Sequence, residues 1–295
     1  MRVTFNSLND GVAALNVAAS ALDRAQDQLA TGKRVRAASD DPAAAQRAVG
    51  SRAEIATLDA YTRSAESADA RLTAIDTVLT DVIERLTEAK ATATGARGST
   101  ATPQSREAAA RQLEGIRDAI LGGINTQVGG TSLFSGGEVL SSAYVLTAGA
   151  WTYQGDGSTI TVATGSGRSV KTALDGQAIM QGTDATDAFT ELDALAAAIR
   201  AGDEAGISSG VAALDRAFDR AVRAQSSVGV DLNGLEEDQQ QVAALRLASQ
   251  KRLSKDEDAD LAKAASDLAR ADTAYRAALG AISTAGRVSL MDYLR

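Results

Sequence analysis

Apolar residues recur every seven positions at both ends of the chain. Leu8, Leu15, Leu22 and Leu29 keep that spacing, and Val12, Ala19 and Gln26 fill the positions four residues on. This is an a/d seam with one polar interruption, and it predicts a helix over 8–30 that Gly32 stops. At the other end Leu261, Leu268, Tyr275 and Ile282 recur in step with Ala264, Ala271, Ala278 and Ala285, and Leu290 and Leu294 close the sequence. Between the ends a helical pattern runs from Ala43 to about Thr94, marked in its second half by Leu72, Ile75, Leu79, Val82 and Leu86. A helix of that length reaches roughly 75 Å, whereas the average globular helix has roughly 11–12 residues. "GARGST" breaks it. Pro103 and Ser105 open another helix, with Ala109, Leu113, Ile116, Ile120 and Ile124 on one face.

The pattern changes near Gly129. "GGTSLFSGG" is turn chemistry around one apolar pair, and "WTYQGDGSTITV" reads as a β-hairpin. Its arms hold Trp151 and Tyr153 on one side and Ile160 and Val162 on the other, with Gly-Asp-Gly as the turn. Helical spacing returns at about Asp187, where Phe189, Leu192, Leu195 and Ile199 share a face, and Gly202 and Gly206 interrupt it. A long helix follows with Val211, Leu214, Phe218 and Val222; "SSVGVDLNGLE" at 226–236 is either a weak spot in it or continuous helix.

The expected class is mainly α: long antiparallel helices forming a rod with coiled-coil-like terminal helices, plus a small β-rich insert. Residues 1–38 and 254–295 form a terminal helical domain, 39–135 and 186–253 a long-helix domain, and 136–185 the insert. Leu133, Phe134 and Gly136 stand where rod meets insert. A seam of Leu and Ala is thin, and a helix of roughly 23 residues is marginal alone. The two terminal seams have the spacing to pair. Leu8, Val12, Leu15, Leu22, Leu29, Leu261, Leu268, Tyr275, Ile282, Leu290 and Leu294 are expected to complete their burial against other subunits.

Gly32 to Pro42 form a corner. Gly32 stops one helix and Ser39-Asp40-Asp41-Pro42 starts the next: Ser39 or Asp40 as N-cap, Asp41 adding charge favourable at a helix start, and Pro42 near the first position, where its missing N–H costs nothing.

Composition narrows the chemistry. The 295 residues include no cysteine and no histidine, which removes disulfides, thiolate catalysis and the commonest general base and metal ligand. The net charge of −8 argues against a nucleic-acid partner, which would call for a basic face. No stretch approaches the roughly 18 consecutive apolar residues of a membrane span, and "MRVTFNSLND" has no apolar core of a cleavable signal. "GSGR" at 165–168 lies between strand-like stretches with no helix after it, so it reads as a turn. "KDEDAD" at 255–260 lacks the glycine and terminal glutamate of an EF-hand and reads as a solvated helical face. Trp151 and Tyr153 read as the small core of the insert. No catalytic residue, cofactor or metal site is expected.

Four stretches resemble the flagellin superfamily, in the right order and spanning nearly the whole chain: "LATGKRVRAASDDPAAA", "LFSG" at 133–136, "YQGDGSTITV", and "AISTAGRVSLMDYL" at 281–294. "SDDPAAA", "LFSG" and the "SLMDYL" ending look most like members at the hook–filament junction; filament-forming flagellin is the alternative. An unrelated alternative is a cytoplasmic coiled-coil signalling or chaperone module. The resemblance implies a secreted structural protein of the bacterial flagellum, passed unfolded through type III export with an export chaperone. It implies a homo-oligomeric ring in a helical tube, with a hook-associated protein on the hook side and flagellin on the filament side. The termini would form an inner layer and 136–185 the outer β domain. Gly32, Ser39, Asp40, Asp41 and Pro42 would set the angle between layers, and Lys33 to Arg36 would face acids of a neighbouring subunit, with Asp256-Glu257-Asp258 as candidates.

Overall fold

The computed structural model describes residues 3–97, 102–138 and 142–293, and side chains within those spans from 9 to 284. The helices, in order, are α1 (Val3–Thr31), α2 (Pro42–Gly95), α3 (Pro103–Ile124), α4 (Gly176–Met180), α5 (Ala188–Ala201), α6 (Glu204–Glu257) and α7 (Leu261–Tyr293). The strands are β1 (Gln127–Val128), β2 (Thr131–Ser132), β3 (Tyr144–Thr147), β4 (Ala150–Tyr153), β5 (Thr161–Gly165) and β6 (Arg168–Lys171), paired as three antiparallel hairpins. The fold is mainly α with long helices and a small β insert, as the spacings imply. The stretch 226–236 runs through as helix inside α6.

Two compact units divide the chain: Met1–Thr57 with Leu245–Arg295, and Leu58–Ala244. The first extends beyond 1–38 and 254–295, because the corner and the first turns of α2 are bonded to the end of α6 and belong with the termini. Within this unit α1 and α7 pack along one another. Gly11 meets Ile282, and Lys33 bridges to Asp258 just beyond the other end of the pair, so the two helices run antiparallel.

In the unit 58–244, Leu72, Ile75, Leu79, Val82 and Leu86 are all fully buried. They meet Leu113, Ile120 and Ile124 of α3 and Phe189, Leu192 and Ile199 of α5 in one core. Within α3, Ala110 takes the buried place expected of Ala109. Thr102 caps α3 ahead of Pro103, and Asp187 caps α5, accepting from the N–H groups of Phe189 and Thr190. Gly202 ends α5 in the left-handed conformation. In this unit α2 and α6 are antiparallel: Lys90 pairs with Asp215, and Gln225 donates to Thr80 at 2.8 Å.

The insert corrects one expectation. Trp151 and Tyr153 do not pair with Ile160 and Val162. They lie on β4, which pairs with β3 around an Ala148-Gly149 turn, and Val162 lies on β5, which pairs with β6. Gly155-Asp156-Gly157 is a connection, not a hairpin turn: the Asp156 carboxylate accepts from Gly137 N–H at 2.8 Å and Ser158 N–H at 3.0 Å, folding the loop back on itself. "GSGR" is a turn, with Gly165 opposite Arg168. Tyr153 packs against Tyr144 with the rings tilted, and both Tyr144 and Trp151 pack on Phe189 of α5, so the aromatics join the insert to the helical core as well as filling it.

Candidate assembly site

The corner is built from the sequence outward. Gly32 adopts φ 67° and its N–H closes the last turn of α1 on Gln28. Asp41, directly before Pro42, caps α2: its Oδ1 accepts from Ala44 N–H at 3.0 Å. Neither Ser39 nor Asp40 does this. Asp40 instead accepts from the N–H groups of Arg36 and Ala37, tightening the turn before the helix, and Ser39 is exposed. Proline at the first helical position places the cap on the residue immediately ahead of it. Backbone N–H donors hold both carboxyls below the usual aspartate range, Ala44 for Asp41 and Ala37 for Asp40; nearby Arg34 and Arg36 add to this.

The corner then bonds to the end of α6. Arg34 N–H and Val35 N–H both donate to the Glu257 carbonyl, at 2.6 and 3.2 Å, and Ala259 N–H donates to Gly32 O at 2.8 Å. Lys33 Nζ reaches Glu257 Oε2 at 2.6 Å and Arg52 of α2 reaches Oε1 at 2.6 Å. Arg47 grips Asp256 Oδ1 through two nitrogens, at 2.8 and 3.0 Å, and Arg34 bonds the Asp256 carbonyl. Arg36 turns back to Asp27 of α1, and Arg34 to Asp41.

Two expectations change here. "KDEDAD" is not a solvated face: the Glu257 side chain is 3% exposed, and Asp260 breaks the helix to cap α7. The acids that face Lys33 to Arg36 are the candidates, Asp256 and Glu257, but they belong to the same chain. Burial alone raises the Glu257 pKa; hydrogen bonds from Lys33 and Arg52 outweigh it and hold the carboxyl below its usual value.

The seam is laid out differently from its leucine spacing. The residues buried between α1 and α7 are alanines: Ala25, Ala264 and Ala271. On α1 they continue a second row of sevens, Gly11, Ala18 and Ala25. A methyl group on Gly11 would stand 3.1 Å from Ile282 Cγ1, so the absence of a side chain there sets how closely the helices approach. Leu15, Leu22, Leu268, Tyr275 and Ile282 flank the row half-buried, while Val12, Leu29 and Leu261 are exposed. Val17, at 68%, and Leu279 also face water. Leu294 lies outside the described residues, as do the side chains of Leu8 and Leu290.

Leu133 and Phe134 are fully buried between helices and insert. The Phe134 carbonyl accepts from Gly176 N–H and Tyr153 Oη, and Leu133 O accepts from Leu174 N–H. Gly136 has φ 67°, and a side chain there would collide with Asp156 and Ser158. Arg71 of α2 ties this place down, bonding the carbonyls of Ser132 and Thr172 at 3.0 Å each and the Thr131 hydroxyl. Arg47, Arg52 and Arg71 had no local signal in the sequence. The Gly11-Ala18-Ala25 row had one, a period of seven in small residues.

Residues 7–138 match the family described as the bacterial flagellin N-terminal helical region. The chain is also similar to flagellar hook-associated protein 3 of Escherichia coli K12, 27% identical over 231 residues, covering 71% of this chain and 73% of that protein. A Vibrio parahaemolyticus structure assigned as a flagellar hook-associated protein shares the fold at TM-score 0.71 and 22% identity, over 74% of this chain and all of that one. The flagellar junction protein FlgL of Legionella pneumophila does so at TM-score 0.60 and 12% identity, over 72% of this chain and all of that one. The resemblance first visible in "SDDPAAA" and "LFSG" thus extends to the fold.

Proposed function

We propose that the chain is a structural subunit of the bacterial flagellum that assembles at the junction between hook and filament. The observation that supports this reading is the match to hook-associated protein 3 across most of both chains, on a fold that solved hook-associated structures share. Filament flagellin and a cytoplasmic coiled-coil module are not favoured. The role is structural, in keeping with relatives named as parts of the flagellum.

In this reading α1 and α7 present Val12, Val17, Leu29, Leu261 and Leu279 to neighbouring copies, forming a ring within a helical tube. A hook-associated protein lies on the hook side and flagellin on the filament side. The subunit reaches the cell exterior through the flagellar export route with a chaperone. Deleting the gene tests it: bare hooks with flagellin spilling into the medium are expected. Intact filaments would refute the junction role, and bare hooks with no flagellin in the medium would mark the chain as the filament subunit.

A further inference from the structure

The alanine seam between α1 and α7 is repetitive. Gly11, Ala18 and Ala25 stand on one side, and Ala264, Ala271 and Ala278 on the other, all at intervals of seven. Sliding α1 along α7 by seven residues sets small residues against small residues again. A uniform seam specifies register weakly; polar pairing at one defined place supplies what it lacks. In this unit that place is the base of the pair. Gly32 and Ala259, joined by a backbone hydrogen bond, leave α1 and approach α7 with no slack between the helix ends.

We infer that Glu257 is the positioning residue that sets the register of α1 on α7. Its carbonyl holds the segment leaving α1, and its carboxylate holds Lys33 of that segment and Arg52 of α2 at once. The carboxylate is buried at the C-terminal end of α6, where the helix dipole disfavours negative charge. Both cations offset that cost, so the carboxylate favours the arrangement in which Lys33 and Arg52 are in place together. The charged groups that reach the carboxylate are Lys33 from the corner and Arg52 from α2; Arg34 and Arg47 nearby bond Asp256 instead, and Asp256 and Asp258 flank Glu257 in sequence. Acid acts on the clasp with a defined sign. The folded pKa lies below the usual 4.5, so the stabilisation is complete above that value and is lost as pH falls through the folded one. The inference concerns the free subunit and stands or falls apart from the junction reading.

The chain has no cysteine, which permits a direct test in the full-length protein. A Gly11→Cys, Ile282→Cys pair reports the native register, and a Gly11→Cys, Tyr275→Cys pair reports a slip of seven. Only the first is expected to oxidise readily at pH 7. Adding Glu257→Gln is expected to slow the 11–282 bridge at least tenfold and to let the 11–275 bridge form, while amides of Leu72 to Leu86 keep their protection from hydrogen exchange. An unchanged 11–282 rate overturns the inference. So does loss of the 11–282 bridge with no gain at 11–275, which would make Glu257 a fastening without register. A second measurement uses the cysteine-free chain: exchange over 9–31 and 262–284 is expected to speed up between pH 7 and pH 3 more in the wild type than in Glu257→Gln, after correction for intrinsic rates. An equal acid response in both proteins overturns the assignment.

Discussion

In residues 58–244 the helices meet through Leu, Ile, Val and Phe side chains with essentially no surface left in water; in the unit of the two termini α1 and α7 meet through alanine, and their larger apolar side chains stay half out. A Leu or Val side chain gains about 1.5–3 kcal/mol when fully buried, so the first unit has collected that stabilisation and the second has left much of it uncollected. The terminal unit is instead tied at its base by ion pairs whose cations reach solvent, and such pairs give geometry more than cohesion. One unit has a closed apolar core of its own. The other leaves Val12, Val17, Leu29, Leu261 and Leu279 exposed along its two helices.

The largest effects should fall in the complete unit. Phe134→Ala removes a fully buried ring between helices and insert and is expected to cost about 3–5 kcal/mol, read by urea unfolding followed through Trp151, the single tryptophan. A loss under 1 kcal/mol would mean this core is less closed than its burial implies. Leu268→Asp puts a charge into the half-buried seam at a cost of roughly 1–3 kcal/mol. That loss should be confined to α1 and α7: the Trp151 transition stays where it was, exchange quickens over 262–284, and sedimentation shows no assembly. A shift of the Trp151 transition would erase the contrast between the units.

Much of this was legible in sequence, and the illegible parts share a cause. The runs Leu72 to Leu86 and Phe189 to Ile199 repeat at helical spacing and are buried as that spacing implies, because a helix face is a local property. The cap of α2 was sought at Ser39 or Asp40, with Asp41 read only as favourable charge, although Pro42 places the cap on Asp41. The first insert hairpin was hidden because its turn uses Ala148, a non-glycine residue at φ 52°, while Gly-Asp-Gly offered a more familiar turn that Asp156 converts into a folded-back loop. At the seam the alanine row of α7 was plain in the sequence, but attention to leucine concealed its counterpart on α1, Gly11, Ala18 and Ala25. Asp256 and Glu257 were recognisable as partners for the basic run, but a sequence cannot say whether the partner acid lies in the same copy or the next. Arg71 and Arg52 act across long separations and left no mark of any kind.

Smaller effects sharpen the comparison. Asp187→Ala removes the cap of α5, where one nearly buried carboxylate accepts from Phe189 N–H, Thr190 N–H and the Thr190 hydroxyl. About 1–2 kcal/mol should be lost, seen in the Trp151 transition and not in exchange over 9–31. Val17→Asp is the opposite case. Val17 is 68% exposed on α1, so the folding free energy of the free subunit should move by no more than about 0.5 kcal/mol. If the open face of α1 is where a neighbouring copy sits, the same substitution places a charge in an apolar contact and assembly fails, although nothing in the single chain has changed. Measured together by urea unfolding and sedimentation, an unchanged transition with lost assembly assigns that face to a neighbour. Retained assembly would leave Val17 in water in the assembled state too, and would move the contact to the side of α7 that carries Leu261 and Leu279.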